Sequence, residues 1–177
     1  MFNIKKLLGI QKEFDDSIAY KPTMLQYILA LNVEIAELLN LLPWKWWKST
    51  YEMDKAKILE ELADVLAFWF SYYNLFFANH HVTALLPTEE VVEREKDQLE
   101  HSIIYGIERE LKNSEEPNVF HIHFEDQYSM IQMETAGRRM GKLIGIVMRI
   151  TGASLEDVTV AYTEKMIVNW SRQKNKY

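Results

Sequence analysis

Glu34 and Glu37 stand three residues apart among Leu31, Ile35, Leu38 and Leu41, and Glu61 with Asp64 repeats the spacing after 23 intervening residues. On a helix, residues three apart share a face, so each pair projects its carboxylates together. Four carboxylates directed from two neighbouring helices into one groove repel one another unless a cation lies between them. Oxygen-only ligands select a hard ion, so magnesium or manganese is the expected occupant, completed by water and substrate phosphates. Acidic pairs at this spacing also occur on solvated faces, balanced by lysines, and Lys57 with Glu61 makes such a pair. One pair alone reads as that kind of face. Two pairs, each embedded in apolar sequence on successive helices, read as a metal site. A di-iron bundle, the nearest rival, needs a Glu-x-x-His unit. None of His80, His81, His101, His121 or His123 has a glutamate three residues before it.

The elements that must carry these pairs are helical. Ile4, Leu7, Leu8, Gln11, Phe14 and Ile18 recur at helical period within a helix from about Phe2 to Tyr20, with Gln11 its one polar member. Thr23 caps a second helix over about Met24–Leu42, which Pro43 ends. A tryptophan-rich connector, Pro43 to Thr50, leads to a third helix over about Asp54–Asn79. That helix contains the most apolar stretch, Leu62–Asn79. Its Asp64, Ser71 and Asn74 mark it as a helix buried inside a protein and not a membrane span. Thr88-Glu89-Glu90 opens a fourth helix to about Lys112, and Asn113–Asn118 reads as a loop. A further helix is predicted over about Phe124–Ile150, where Gly137, Gly141 and Gly145 make a smooth packing face. Gly152 terminates it, and Ser154 caps a last helix to about Trp170.

Composition agrees. The chain has 177 residues with six glycines and four prolines, where average usage gives about twelve and about nine. So few turn residues argue against sandwiches and barrels. A hydrophobic content of 48% excludes disorder, and zero cysteines exclude disulfide frameworks, zinc fingers and thiol catalysis. A net charge of −6 gives no support for a nucleic-acid coat, so an acidic substrate needs a local basic patch or a metal. The N-terminus turns acidic early and lacks a small-residue cleavage site, which points to a cytoplasmic protein. The expected fold is all-α, a single domain over residues 1–177, with five to six bundled helices around a four-helix metal-binding core.

Glu34-x-x-Glu37 followed by Glu61-x-x-Asp64 resembles the signature of the all-α nucleoside triphosphate pyrophosphatases. More narrowly, the chain resembles the dimeric dUTPases and their phage dCTPase/dUTPase relatives. Leu8-Gly9-Ile10-Gln11-Lys12-Glu13-Phe14-Asp15 is similar to that family's first helix, and Trp44-Lys45-Trp46-Trp47-Lys48 to its tryptophan–lysine loop. The segment from Tyr162 through Lys165, Asn169 and Arg172, ending in Tyr177, resembles its phosphate-binding helix. Two departures stand out: Lys176 precedes the final aromatic where the family usually has glycine, and Ala67 stands where a histidine is common.

The resemblance implies hydrolysis of dUTP to dUMP and pyrophosphate by a homodimer. Glu34, Glu37, Glu61 and Asp64 would hold two or three magnesium ions, and a metal-activated water would attack the α-phosphorus. Glu34 or Glu37 would take the water's proton, with Glu34 favoured. Lys165, Asn169 and Arg172 fall at i, i+4 and i+7 on one helical stripe, where ammonium, amide and guanidinium suit a polyphosphate. The other use of such a basic stripe is to complement its own helix dipole. Lys45, Lys48 and Tyr162 complete the expected phosphate set. Gln11, Asp15, Trp44 and Trp47 form the expected base-binding set, the indoles stacking on a flat base. Each has a plainer reading: a connector anchored in the core for the tryptophans, an internal hydrogen bond for Gln11, a solvated side chain for Asp15. Within the same chemistry, dCTP or a wider set of triphosphates is open. A nucleic-acid scaffold is disfavoured by the acidic charge and the lack of a continuous basic stripe, and a silent helical interaction module by the four intact carboxylates.

Overall fold

In the computed structural model, residues 3–83, 89–113 and 133–175 are described, and within them every regular element is a helix. These are α1 (Ile4–Ser17), α2 (Met24–Leu41), α3 (Lys55–Thr83), α4 (Glu89–Leu111), α5 (Met133–Thr151) and α6 (Leu155–Lys174). The chain is an all-α bundle.

The helix ends follow their caps. Asn3 accepts from the Lys6 amide at 2.8 Å to start α1. Thr23 with Gln26, and Ser154 with Asp157, close reciprocal capping boxes at the starts of α2 and α6. Helix α1 stops at Ser17, short of the predicted Tyr20, because the Lys21 ammonium takes the carbonyls of Asp15 and Asp16 at 2.7 and 3.1 Å. Helix α5 ends before Gly152, whose φ of +67° is open to glycine without strain. Helix α6 runs four residues past the predicted Trp170, since Ser171–Lys174 contains no breaker. Residues 124–132 of the predicted fifth helix, along with Tyr177, His121 and His123, lie outside the described residues.

Helix α3 is the axis. Its Leu62, Val65, Leu66, Trp69, Phe70, Tyr72 and Tyr73 are at most 1% exposed, which places side chains around most of its circumference in the core. It packs on α1, α2, α5 and α6. A helix apolar nearly all round has this position available to it, and the Leu62–Asn79 run is accounted for by it. Helix α2 is the one described helix long and apolar enough to cross a membrane, yet only 22% of it is buried. Leu25, Leu29 and Val33, each more than half exposed, form a stripe on its outer side.

Helices α4 and α5 pack chiefly on each other. A Cβ on Gly137 would meet Leu99 and Ser102, one on Gly141 would meet Ile103 and Gly106, and one on Gly145 would meet Ile107 and Glu110. The contacts climb both helices in the same order, so the two run parallel. At Gly141 the added carbon would lie 2.1 Å from the Ile103 carbonyl oxygen. The glycine face therefore lets two backbones touch. The buried Glu110 carboxylate is held there by Arg149 at 2.6 Å.

Candidate active-site cleft

One cleft of about 490 Å³ is lined by residues from α1, α2, α3 and α6. The bundle brings both carboxylate pairs to it. Glu34 and Glu37 come from α2, one turn apart, while Glu61 and Asp64 come from the first half of α3, where its apolar run begins. Oxygens of Glu34, Glu61 and Asp64 all lie within 4.8 Å of one another. Glu37 lines the same cleft, but outside that tight set.

The lysines answer the acids. Lys165 reaches from α6 to Asp64 at 2.5 Å and to Glu60 at 3.2 Å. Lys57 bonds Glu61 at 2.8 Å and Glu60 at 3.0 Å. Two ammonium groups thus face five carboxylates, and the excess shows in the acidities. Burial first, then the charges of Asp64, Glu37 and Glu61, push Glu34 up from its ordinary 4.5 to about 7. Asp64 is also raised, chiefly by burial, against the pull of Lys165. Burial is the largest single influence on Lys165 and lowers it, but the hydrogen bonds and charges of Asp64 and Glu60 together outweigh it and the net direction is up.

A set of close oxygen ligands that is short of positive charge fits a hard divalent cation, with magnesium or manganese as the candidates. It also fixes a pH dependence. A carboxylate raised in the fold contributes stability that is complete below its unfolded value and is lost as the pH rises through its folded value. For Glu34 that window runs from 4.5 to about 7. Asp64 and Asp15 are raised as well and act in the same direction. Lowered Glu60 and raised Lys165 titrate outside the window, on its acid and alkaline sides. Metal-free protein should therefore melt at a progressively lower temperature between about pH 5 and about pH 7, and added magnesium near neutrality should restore the loss. A melting temperature that rises across this interval would contradict the charge assignment.

The expected phosphate stripe is at hand: Lys165, Asn169 and Arg172 all line the cleft. Gln11 and Asp15 line the same cleft with Ser71, Tyr27 and Phe14. Here burial raises Asp15, moderated by hydrogen bonds from Gln11 and Ser71. Burial and then the Asp15 charge push Tyr27 up to about 12.

Other expected members stand elsewhere. Tyr162 is fully buried, and its hydroxyl donates to Gln11 Oε1 at 2.9 Å, so it faces α1 and not a phosphate. The Trp44 indole N–H donates to the Leu39 carbonyl at 2.5 Å, which fastens the connector to the end of α2. Trp47 meets Trp44 edge to face, Lys45 bonds Asn40 Oδ1 at 2.5 Å, and Lys48 lies over the Tyr51 ring. None of these four connector residues is among the described residues lining the cleft. Conversely Lys57, Glu60, Tyr27 and Ser71 line it, although their types and spacing in the sequence do not mark them as part of a site. Larger hollows of about 790 and 730 Å³ lie along α4 and α5, away from the carboxylate set.

The cleft therefore joins a carboxylate cluster, a cationic stripe and a group of hydrogen-bonding side chains. A family model described as dUTPase matches residues 3–177. No curated protein matches the chain.

Proposed function

The chain belongs to the all-α dUTPase family and is a dUTP diphosphatase, and from that membership we propose how the cleft works. Water attacks the α-phosphorus of dUTP, the bond to the β-phosphate's bridging oxygen breaks, and dUMP and pyrophosphate leave. Glu34, Glu61 and Asp64, with Glu37 beside them, hold two or three magnesium ions. When bound, such ions neutralise phosphate charge, polarise phosphoryl oxygens and activate water near neutral pH. Lys165, Asn169 and Arg172 grip the β- and γ-phosphates with charge-assisted hydrogen bonds. Glu34 accepts the proton of the attacking water. Asp15, which lines the same cleft, receives the base.

The observation that carries this reading is the approach of three carboxylates to within 4.8 Å directly beside the Lys165 ammonium. The test is pyrophosphate release from dUTP, dCTP, dTTP and dATP, with and without magnesium. Magnesium-dependent turnover of dUTP is expected. Release from none of the four would overturn the reading, and a preference for dCTP would keep the cleavage and replace the base.

The protein is also proposed to be a homodimer. Leu25, Leu29 and Val33 support it, because one helix face with three large apolar groups more than half exposed favours a covering partner. Light scattering should give about twice the 21.0 kDa chain mass, and a mass of one chain would refute the dimer.

A further inference from the structure

Three helices, α1, α3 and α6, meet at one buried polar point beside the cleft. Gln11 of α1 is 3% exposed, Ser71 of α3 is 2% exposed, and Tyr162 of α6 is fully enclosed. Gln11 Nε2 donates to Asp15 Oδ1 and to Ser71 Oγ, both at 3.0 Å. The Ser71 hydroxyl donates to the same Asp15 oxygen at 2.9 Å. Tyr162 donates to Gln11 Oε1 at 2.9 Å.

The chemistry allows one direction for this chain of bonds. An ionised carboxylate only accepts, so Gln11 must turn its NH₂ toward Asp15. Its carbonyl oxygen then faces Tyr162, whose hydroxyl must donate. Both Gln11 N–H groups are consumed inside the protein, so the amide has no donor left for a ligand. Asp15 is different. Its Oδ1 receives two hydrogen bonds, while its Oδ2 has no partner among the described residues. Asp15 is the member of the network that is only half buried, and it lines the cleft.

We infer that Tyr162 and Ser71 are positioning residues for base selection, holding Gln11 and through it the Asp15 carboxylate so that Oδ2 accepts a base N–H. The inference rests on the nucleotide reading above and names the group that selects within it. A fixed acceptor at this point suits the N3–H of uracil. It repels the bare N3 lone pair of cytosine, which reaches the same oxygen only through its amino group in a shifted pose. A buried hydrogen-bonding site rejects a mismatched edge because its own polar groups are left unpaired.

The experiment compares wild type, Tyr162→Phe and Ser71→Ala, each with dUTP and dCTP, and measures inhibition by inorganic triphosphate as a base-free probe. Both variants should raise KM for dUTP about tenfold with kcat within about twofold, the signature of lost binding that is equal in ground and transition states. The dUTP-to-dCTP ratio of kcat/KM should fall toward one, and inhibition by triphosphate should stay as in wild type. Residues that only support the fold would weaken both nucleotides and triphosphate together, and that result overturns the inference, as does an unchanged ratio in both variants. Ser71→Ala carries the test if Tyr162→Phe does not fold. Absence of turnover by the wild type would instead bring down the nucleotide reading itself.

Discussion

Replacing Asp64 with asparagine is expected to lower kcat/KM for dUTP by at least about 10³-fold, roughly 4 kcal/mol of transition-state stabilisation. The substitution keeps the shape and removes the charge. One of the three oxygens within 4.8 Å of one another is lost as an anion, and magnesium then meets a site with too little negative charge to displace its water. The fold should not suffer with it. Burial already disfavours the ionised form of Asp64, so a neutral amide relieves the crowd of acids around Glu34. The melting temperature of the metal-free variant should match or exceed that of wild type, while the stabilisation brought by magnesium shrinks. Opposite signs for metal-free stability and for activity are the mark of a ligand. A joint fall of both would make Asp64 a structural residue.

The carboxylates could be read in the sequence because their spacing is a local property of a single helix. The same holds for Lys165, Asn169 and Arg172, and for the capping boxes at Thr23 and Ser154, which all sit within two turns of one element. What was hidden depends on how helices turn toward one another. Tyr27, Ser71 and Tyr162 are hydroxyls on otherwise apolar faces of three helices, and such positions read as ordinary core until the bundle closes over Gln11. The family resemblance groups Tyr162 with Lys165 in the phosphate set, yet its hydroxyl points to α1. Residues three apart on a helix share a face but are still offset by about 60°, so at the rim of a cleft one can reach the cleft and the other the core. The connector shows a different limit. Its tryptophans and lysines announce chemistry by type, but their direction is set by Leu39, Asn40 and Tyr51, contacts that no spacing rule encodes. Lys57 was legible as the partner of Glu61, and only the cleft shows that the pair stands inside the site.

Lys165→Met should separate the two duties of that lysine. In the metal-free protein its ammonium lies between Asp64 and Glu60, at 2.5 and 3.2 Å, and supplies positive charge where a divalent ion is proposed to bind. With nucleotide present the same ammonium is proposed to serve phosphate. The variant should lose about 10²-fold in kcat/KM, the scale of one charge-assisted contact. It should also melt at a lower temperature without metal, because Asp64 is left half buried with no compensating cation. Magnesium, however, no longer competes with a lysine for Asp64. The rise in melting temperature on adding magnesium should therefore be larger than in wild type, even as turnover falls. This response is opposite to that of Asp64→Asn, in which the magnesium effect shrinks. A magnesium shift in Lys165→Met no greater than in wild type would mean that the lysine and the ion do not share Asp64. The cationic stripe and the carboxylate cluster would then be two adjoining sites and not one coupled site.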